Sequence, residues 1–355
     1  MKTTPILHVD SDKMIRNFNI VKSKCRTLGV ELRPHMKTIH LPELAEKLRL
    51  NGLTKISVSN LGMLTEFAKF GWRDICLALP FPVHMANDIH QIVDEYQVRL
   101  TVYVDHFHHL DALDKFKTPV TIAIEIDAGQ ARSGVDWKQL AHVESLMNRI
   151  ELSPHAFGGI SSHFGHHYHC ENREEILQAS SYSMMRILQI KESLDAKFNV
   201  SVPLAIGDTP SLYSMAQFDL VDEIRAGNFL LNDMTMVAKG LCDLSHVAVY
   251  VEANVIGKYD DDCRLVLHCG AVHLSKEHHA DAKYGFGVVS STIDDPNILD
   301  QPLIITELYQ EHAVVVGSAD RLQDISIGDS LFIYPVHVCL AVDAMLYKSA
   351  VNILS

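Results

Sequence analysis

From Ser11 onward the apolar positions alternate between helical and strand-like spacing. Met14, Phe18 and Val21 fall on one side of a helix that Ser11 can cap and that ends near Gly29. Extended runs are expected at 30–36, 55–59, 74–79, 100–104, 120–126, 157–163, 202–206 and 222–225. Helical patterns separate them, near 42–50 (closed by Asn51-Gly52), 61–70, 139–150 and 174–198. This repetition predicts an α/β fold, a (β/α)8 TIM barrel; a doubly wound sheet is the alternative, and the number of units favours the barrel. From about residue 244 the pattern changes. Residues 247–256, 264–269, 313–316 and 330–334 read as strands, and 335–339 as a further short extended stretch. With no comparable helix expected among them, they predict a C-terminal antiparallel β domain. The expected division is a barrel over 8–243 and a β domain over 244–355, joined by residues 1–7.

Composition narrows the partners. The 355 residues carry a net charge of −13 and no basic run, which argues against nucleic acid and anionic membranes. No apolar run approaches the roughly 20 residues that span a bilayer, and the first five residues lack the apolar region of a secretory signal. Seven scattered cysteines form no disulfide framework and fit a reducing cytoplasmic compartment.

In a barrel, catalytic groups sit at the C-terminal ends of strands. Pro34 disfavours the helical region for Arg33, and Pro42 suits the first turn of the next helix. Lys37 therefore falls in a strand-to-helix turn. A lysine in a dry concave place can act as a nucleophile toward a carbonyl, although a lone lysine is more often a solvated surface group. The fifth strand ends in Asp127 to Gly134, the sixth in His163 to His169. The seventh ends in Gly207-Asp208-Thr209-Pro210-Ser211 and the eighth in Arg225-Ala226-Gly227-Asn228. Barrels often bind phosphate with their last two loops. Gly207 and Gly227 let backbone N–H groups approach an anion, and Thr209 and Ser211 add hydroxyls. Singly each loop is a tight turn. Paired, and with a lysine on strand one, they suggest a phosphorylated cofactor held opposite an amine.

These segments resemble, in order and spacing, the D-serine dehydratase and D-threonine aldolase family of pyridoxal-phosphate enzymes, which has the alanine-racemase type of fold. The resemblance covers essentially the whole chain. It runs through Arg33 to Thr38, Gly129 to Val135, His163-Phe164-Gly165 with Tyr168, both glycine loops, Gln310-Glu311-His312 and Pro335 to Cys339. It implies that Lys37 forms the Schiff base with pyridoxal 5'-phosphate and that Arg132 lies near the cofactor's phenolic oxygen. It places Tyr168 close to the pyridine ring and His163 among the cofactor-binding residues. Gly207, Asp208, Thr209, Gly227 and Asn228 would surround the phosphate. It also places a metal at His337 and Cys339. On a strand those two side chains would share a face, and imidazole with thiolate suits Zn2+ or another divalent ion.

The implied activity is elimination of water from a 3-hydroxy D-amino acid, giving a 2-keto acid and ammonia. Retro-aldol cleavage is the alternative; aldolase relatives tend to carry a carboxylate where Cys339 stands. A racemase, or a cofactor carrier without turnover, are further alternatives. Family relatives imply a homodimer. Of the other histidines, His106, His108, His109, His278 and His279 read as solvated loops. His166, His167 and His169 sit at the mouth of the expected site, where surface placement is at least as frequent as substrate contact.

Overall fold

The strand runs of the first two-thirds are apolar almost continuously, as strands covered on both faces must be. In the computed structural model, which describes residues 5–295, 297–346 and 349–354, they form one parallel sheet. Its main path runs through Glu31–Leu32, Glu223–Ile224, Leu204–Gly207, Ala156–His163, Thr121–Asp127, Arg99–Val104, Asp74–Pro80 and Ile56–Val58. Val135–Asp136 adds a short parallel pairing beside Thr121–Asp127. Ile75, Leu77, Val102, Val104, Ile122 and Ile124 are buried along these strands. The first and last strands of the path meet in one isolated parallel bridge, His35 to Ser57, where the Ser57 N–H donates to the Pro34 carbonyl at 2.9 Å. The expected barrel is thus observed as a curled parallel sheet whose ends join at a single residue pair.

Capping explains where the flanking helices begin. Asn60 accepts the Met63 N–H at 2.8 Å and starts Leu61–Lys69, which buries Met63, Leu64, Phe67 and Ala68. Asn172 likewise caps the long helix Arg173–Phe198 through the Glu175 N–H.

Charged groups are also buried in this unit. Glu223 lies 3.0 Å from Arg33 Nε, 2.5 Å from Arg225 Nε and 3.3 Å from Lys55 Nζ. Burial pushes the Glu223 carboxyl up, but Arg225, Arg33 and Lys55 outweigh it and hold it at about 2. A folded-state value below the unfolded one adds stability above about pH 4.5, and that stability is lost as the pH falls toward 2. Glu223→Gln is expected to cost about 3–5 kcal/mol, because Arg225 stays buried without its carboxylate and Arg33 keeps only Asp74. Denaturant unfolding between pH 7 and pH 2 checks this: the variant should show a lower midpoint at pH 7 and a shallower loss in acid.

The later strands form a second, mainly antiparallel sheet. Six of them close a ring: Arg264–Leu267, Ala313–Val316, Leu303–Leu308, Gly287–Ser290, Ser330–Pro335 and Val249–Tyr259, the last pairing back onto Arg264–Leu267. Ile6–Asp10 adds to Val249–Tyr259, and Ala350–Leu354 lies parallel on Ile6–Asp10. This second compact unit takes in the residues up to Asn19, Thr38–His40 and everything from Asn228; the parallel-sheet unit takes Ile20–Lys37 and Leu41–Gly227. Residues 1–4 and 355, expected in the β domain, lie outside the described residues.

The expectation of an extended stretch at 335–339 is corrected. The strand stops at Pro335, and Val338–Leu346 is a helix that buries Val338, Ala341, Val342 and Met345. Those positions follow the i, i+3, i+4, i+7 helical period. His337 precedes the helix and Cys339 lies in its first turn, so a shared strand face is not what pairs them. The idea that no comparable helix interrupts this section falls with it. Among the described residues no helix is long and apolar enough to cross a membrane.

Candidate active site

In the parallel-sheet unit the expected residues gather at strand ends. Lys37 sits in a short 3-10 turn, Met36–Thr38, and its backbone N–H donates to His35 Nδ1 at 3.2 Å. Met36 and Ile39 are wholly buried, which anchors the turn, while the Lys37 side chain is exposed. The dry setting expected for it is therefore not observed; the turn presents the amine to an open space.

Asp127 builds the next turn. Its Oδ1 accepts the N–H groups of Gly129, Gln130 and Ala131 at 2.8, 2.8 and 3.1 Å. Gly134, at φ +96°, permits the close return of the chain: an added Cβ would lie 2.9 Å from the Asp127 nitrogen. The turn presents Arg132, which is exposed, and Ser133, whose hydroxyl donates to Glu125 at 3.0 Å. Burial pushes the Glu125 carboxyl up to about 6 against the pull of Ser133 and Arg132.

His163 closes the group. Burial lowers its pKa, the charges of Lys37 and Arg132 lower it further, and the net value is about 4 despite Asp208. The ring is neutral at pH 7. Its Nδ1 contacts the Gly207 carbonyl, an acceptor only, so Nδ1 carries the proton and Nε2 is a bare acceptor. Tyr168 and Thr209 also meet: the Thr209 N–H donates to the Tyr168 hydroxyl oxygen at 3.4 Å. Asp208 caps Thr209–Ser214 by accepting the Ser211 N–H at 2.6 Å, and its Oδ2 is buried without a hydrogen-bond partner. A carboxylate repels a phosphate, so Asp208 acts here by shaping the loop.

His167 is corrected from the surface to the interior. It is fully buried, with Nδ1 2.8 Å from Ser211 Oγ and Nε2 3.1 Å from Ser183 Oγ, and it lies 3.6 Å from Asp208. Sequence carried no signal for this beyond a histidine next to a strand end.

In the antiparallel unit, His337 Nδ1 contacts a Glu277 carboxylate oxygen, and Cys339 stands two residues further on, in the first turn of the helix Val338–Leu346. Burial lowers the His337 pKa, but Cys339, Glu277 and Asp233 outweigh it and raise it to about 10. Thr38 Oγ1 lies 3.3 Å from Cys339 Sγ. Asp233, buried and pushed up by burial, accepts from Asn228 Nδ2 at 2.6 Å; Asn228 Oδ1 is left without a hydrogen-bond partner. Glu277 and Asp233 escaped the sequence reading.

The residues fit the expected groups chemically. An amine, a cationic guanidinium and a bare imidazole nitrogen form a donor and acceptor set suited to a phosphorylated pyridine aldehyde. A thiol beside an imidazole suits a borderline-soft divalent cation. Among the described residues no three His, Cys, Asp or Glu side chains group as a metal set.

Comparison with known proteins agrees. Residues 9–234 match the family described as alanine racemase, N-terminal domain, and residues 248–349 the putative serine dehydratase domain. The first match spans more than half of the chain and sets its class, an enzyme of the alanine-racemase fold. The D-threo-3-hydroxyaspartate dehydratase of Delftia sp. (strain HT23) is 27% identical over 351 residues, 95% of this chain and 90% of that protein. The D-serine dehydratase of Dictyostelium discoideum is 28% identical over 93% of this chain and 88% of its own. The solved Delftia enzyme superposes with a TM-score of 0.86 at 25% identity, covering 97% of this chain and 93% of that one. The chain belongs to the D-serine dehydratase and D-threonine aldolase family and is a lyase of its pyridoxal-phosphate-dependent kind. The Delftia enzyme is also solved as a His→Ala mutant and as a Cys→Ala mutant in the metal-free form. Those two positions are two residues apart, the same spacing as His337 and Cys339.

Proposed function

We propose that this chain eliminates water from a 3-hydroxy D-amino acid, yielding a 2-keto acid and ammonia. The observation that carries the proposal is the adjoining imidazole and thiol of His337 and Cys339, matched by the spacing of the mutated pair in the Delftia dehydratase.

Pyridoxal phosphate, when bound, supplies an electron sink for negative charge at the substrate Cα. Lys37 Nζ would hold the cofactor covalently and would serve as the base for the substrate Cα proton. Arg132 would supply positive charge toward the cofactor's ring oxygen, and the neutral His163 offers Nε2 as an acceptor without adding charge. Tyr168, Gly207, Thr209, Gly227 and Asn228 frame the cofactor, with Asp208 setting the loop. His337 and Cys339 would hold Zn2+ or another divalent ion, whose Lewis acidity helps hydroxide depart. The parallel sheet, joined at His35 and Ser57, is read as a (β/α)8 barrel. Seven free cysteines support a cytoplasmic location, and the family resemblance supports a homodimer.

The test is a product assay on D-serine, D-threonine and 3-hydroxy-D-aspartate. Keto acid with ammonia is expected. Glycine with an aldehyde would make it an aldolase, the opposite enantiomer a racemase, and no product a carrier.

A further inference from the structure

The backbone around His337 and Cys339 is held by bonds that leave their side chains unaimed. Asp233 Oδ2 accepts the Val338 N–H at 3.1 Å, and the Thr235 hydroxyl donates to the Val336 carbonyl at 2.7 Å. Neither bond decides which nitrogen of the ring, or which side of the sulfur, is left for a cation. Glu277 and Thr38 make the contacts that do, and all of these residues lie in one unit.

Glu277 stands in the loop between Ala271–Leu274 and Gly287–Ser290. Ser275, at φ +71°, turns the chain there, and its hydroxyl oxygen accepts the Glu277 N–H at 3.2 Å. The Glu277 carboxylate contacts His337 Nδ1. A carboxylate only accepts, so Nδ1 carries the proton and Nε2 is the nitrogen left for a cation. Any second ring proton leaves from Nε2 to solvent as the cation binds. On the other ligand, Thr38 is wholly buried and its Oγ1 lies 3.3 Å from Cys339 Sγ. A thiolate has no proton to give, so in the metal-binding form the hydroxyl donates to sulfur. That bond occupies one side of the sulfur and turns the rest toward the cation.

We propose that Glu277 and Thr38 are positioning residues for the metal pair, Glu277 fixing the His337 ring by its Nδ1 and Thr38 orienting the Cys339 thiolate. Neither touches the cation. The proposal rests on the reading of His337 and Cys339 as ligands given above. Outer partners of this kind are worth about 10–100-fold in metal affinity.

The test titrates Zn2+ into the full chain against a chelating dye. Wild-type protein should bind it and His337→Ala should not. Glu277→Ala should weaken Zn2+ about 10-fold or more; Glu277 is exposed, so its truncation opens no cavity. Glu277→Gln, which keeps an acceptor oxygen, should recover part of the loss. Thr38→Val keeps the shape without the hydroxyl and should weaken Zn2+ by a similar factor. Thr38→Ser restores the hydroxyl and should bind as the wild type does. Co2+ in place of Zn2+ separates orientation from general loosening. Its sulfur-to-metal absorption band should move to longer wavelength in Thr38→Val, because a thiolate without its hydrogen bond gives up electron density more readily. Unchanged Zn2+ affinity in Glu277→Ala or Thr38→Val overturns the proposal. So does a Co2+ band that stays in place in Thr38→Val, or conservative variants that bind no better than the truncated ones. Loss of Zn2+ from Glu277→Ala as complete as from His337→Ala would make Glu277 a ligand and overturn its positioning role. Wild-type protein that binds no Zn2+ overturns the underlying reading of the ligand pair, a result distinct from all of these.

Discussion

Lys37→Ala is expected to yield a folded protein with no visible absorption from lysine-bound pyridoxal phosphate and with turnover reduced about 10^4-fold. That figure is the upper end of what one proton-transferring group contributes, and the loss of covalent attachment adds to it. Folding survives because the turn is anchored by its neighbours: Met36, Thr38 and Ile39 are wholly buried, whereas the Lys37 side chain is exposed. Truncating an exposed side chain opens no cavity. Lys37→Arg keeps a positive charge near His163 but offers no nucleophilic amine, so it should lack the band as well. Absorption and steady-state rates on the D-amino-acid panel measure both. A band that persists in the alanine variant, with activity, would remove the lysine from the mechanism.

Cys339→Ala should leave the protein with less than stoichiometric metal by elemental analysis and slow elimination about 10^3-fold. Lewis-acid assistance contributes several kcal/mol, and each 1.4 kcal/mol is tenfold in rate. Wild-type enzyme treated with a chelator should behave the same way and recover with Zn2+, while the variant should not recover. The visible band of the cofactor should survive in the variant, which separates loss of metal from loss of fold. A variant that keeps its metal and its rate would contradict the assignment.

Much of the parallel sheet was legible because its strands are covered on both faces and read as unbroken apolar runs. The expected 74–79 is observed as Asp74–Pro80 and 157–163 as Ala156–His163. The start of the first helix was legible to within a residue, but its cap was not: Asp10, not Ser11, accepts the Lys13 N–H at 2.8 Å, and the Ser11 hydroxyl donates to the Leu354 carbonyl instead. The closing segment misled because Pro335-Val336-His337-Val338-Cys339 opens on a proline and places valines at alternate positions, which suits a strand as well as the start of a buried helix. Packing of one face decided between them. Gly287–Ser290 is a short strand that pairs with Ser330–Pro335, some forty residues on, and local pattern does not announce that. In the site, Lys37 and the glycine turns were legible because their chemistry lies in residue type and backbone freedom. Asp233 and His167 were not. Their importance comes from burial and from partners such as Val338 and Ser183, far along the chain or on another element.

The strand Ile6–Asp10 lies between Val249–Tyr259 and Ala350–Leu354. During synthesis this early strand emerges more than two hundred residues before either neighbour. It must wait, with both rows of amide groups unpaired, until the ribosome has delivered nearly the whole chain. Sequence separation of that size slows assembly, and a waiting strand is open to pairing with another nascent copy. The second sheet is therefore the slow half of the molecule to mature, and a chain cut before Ala350 would leave one side of that early strand bare.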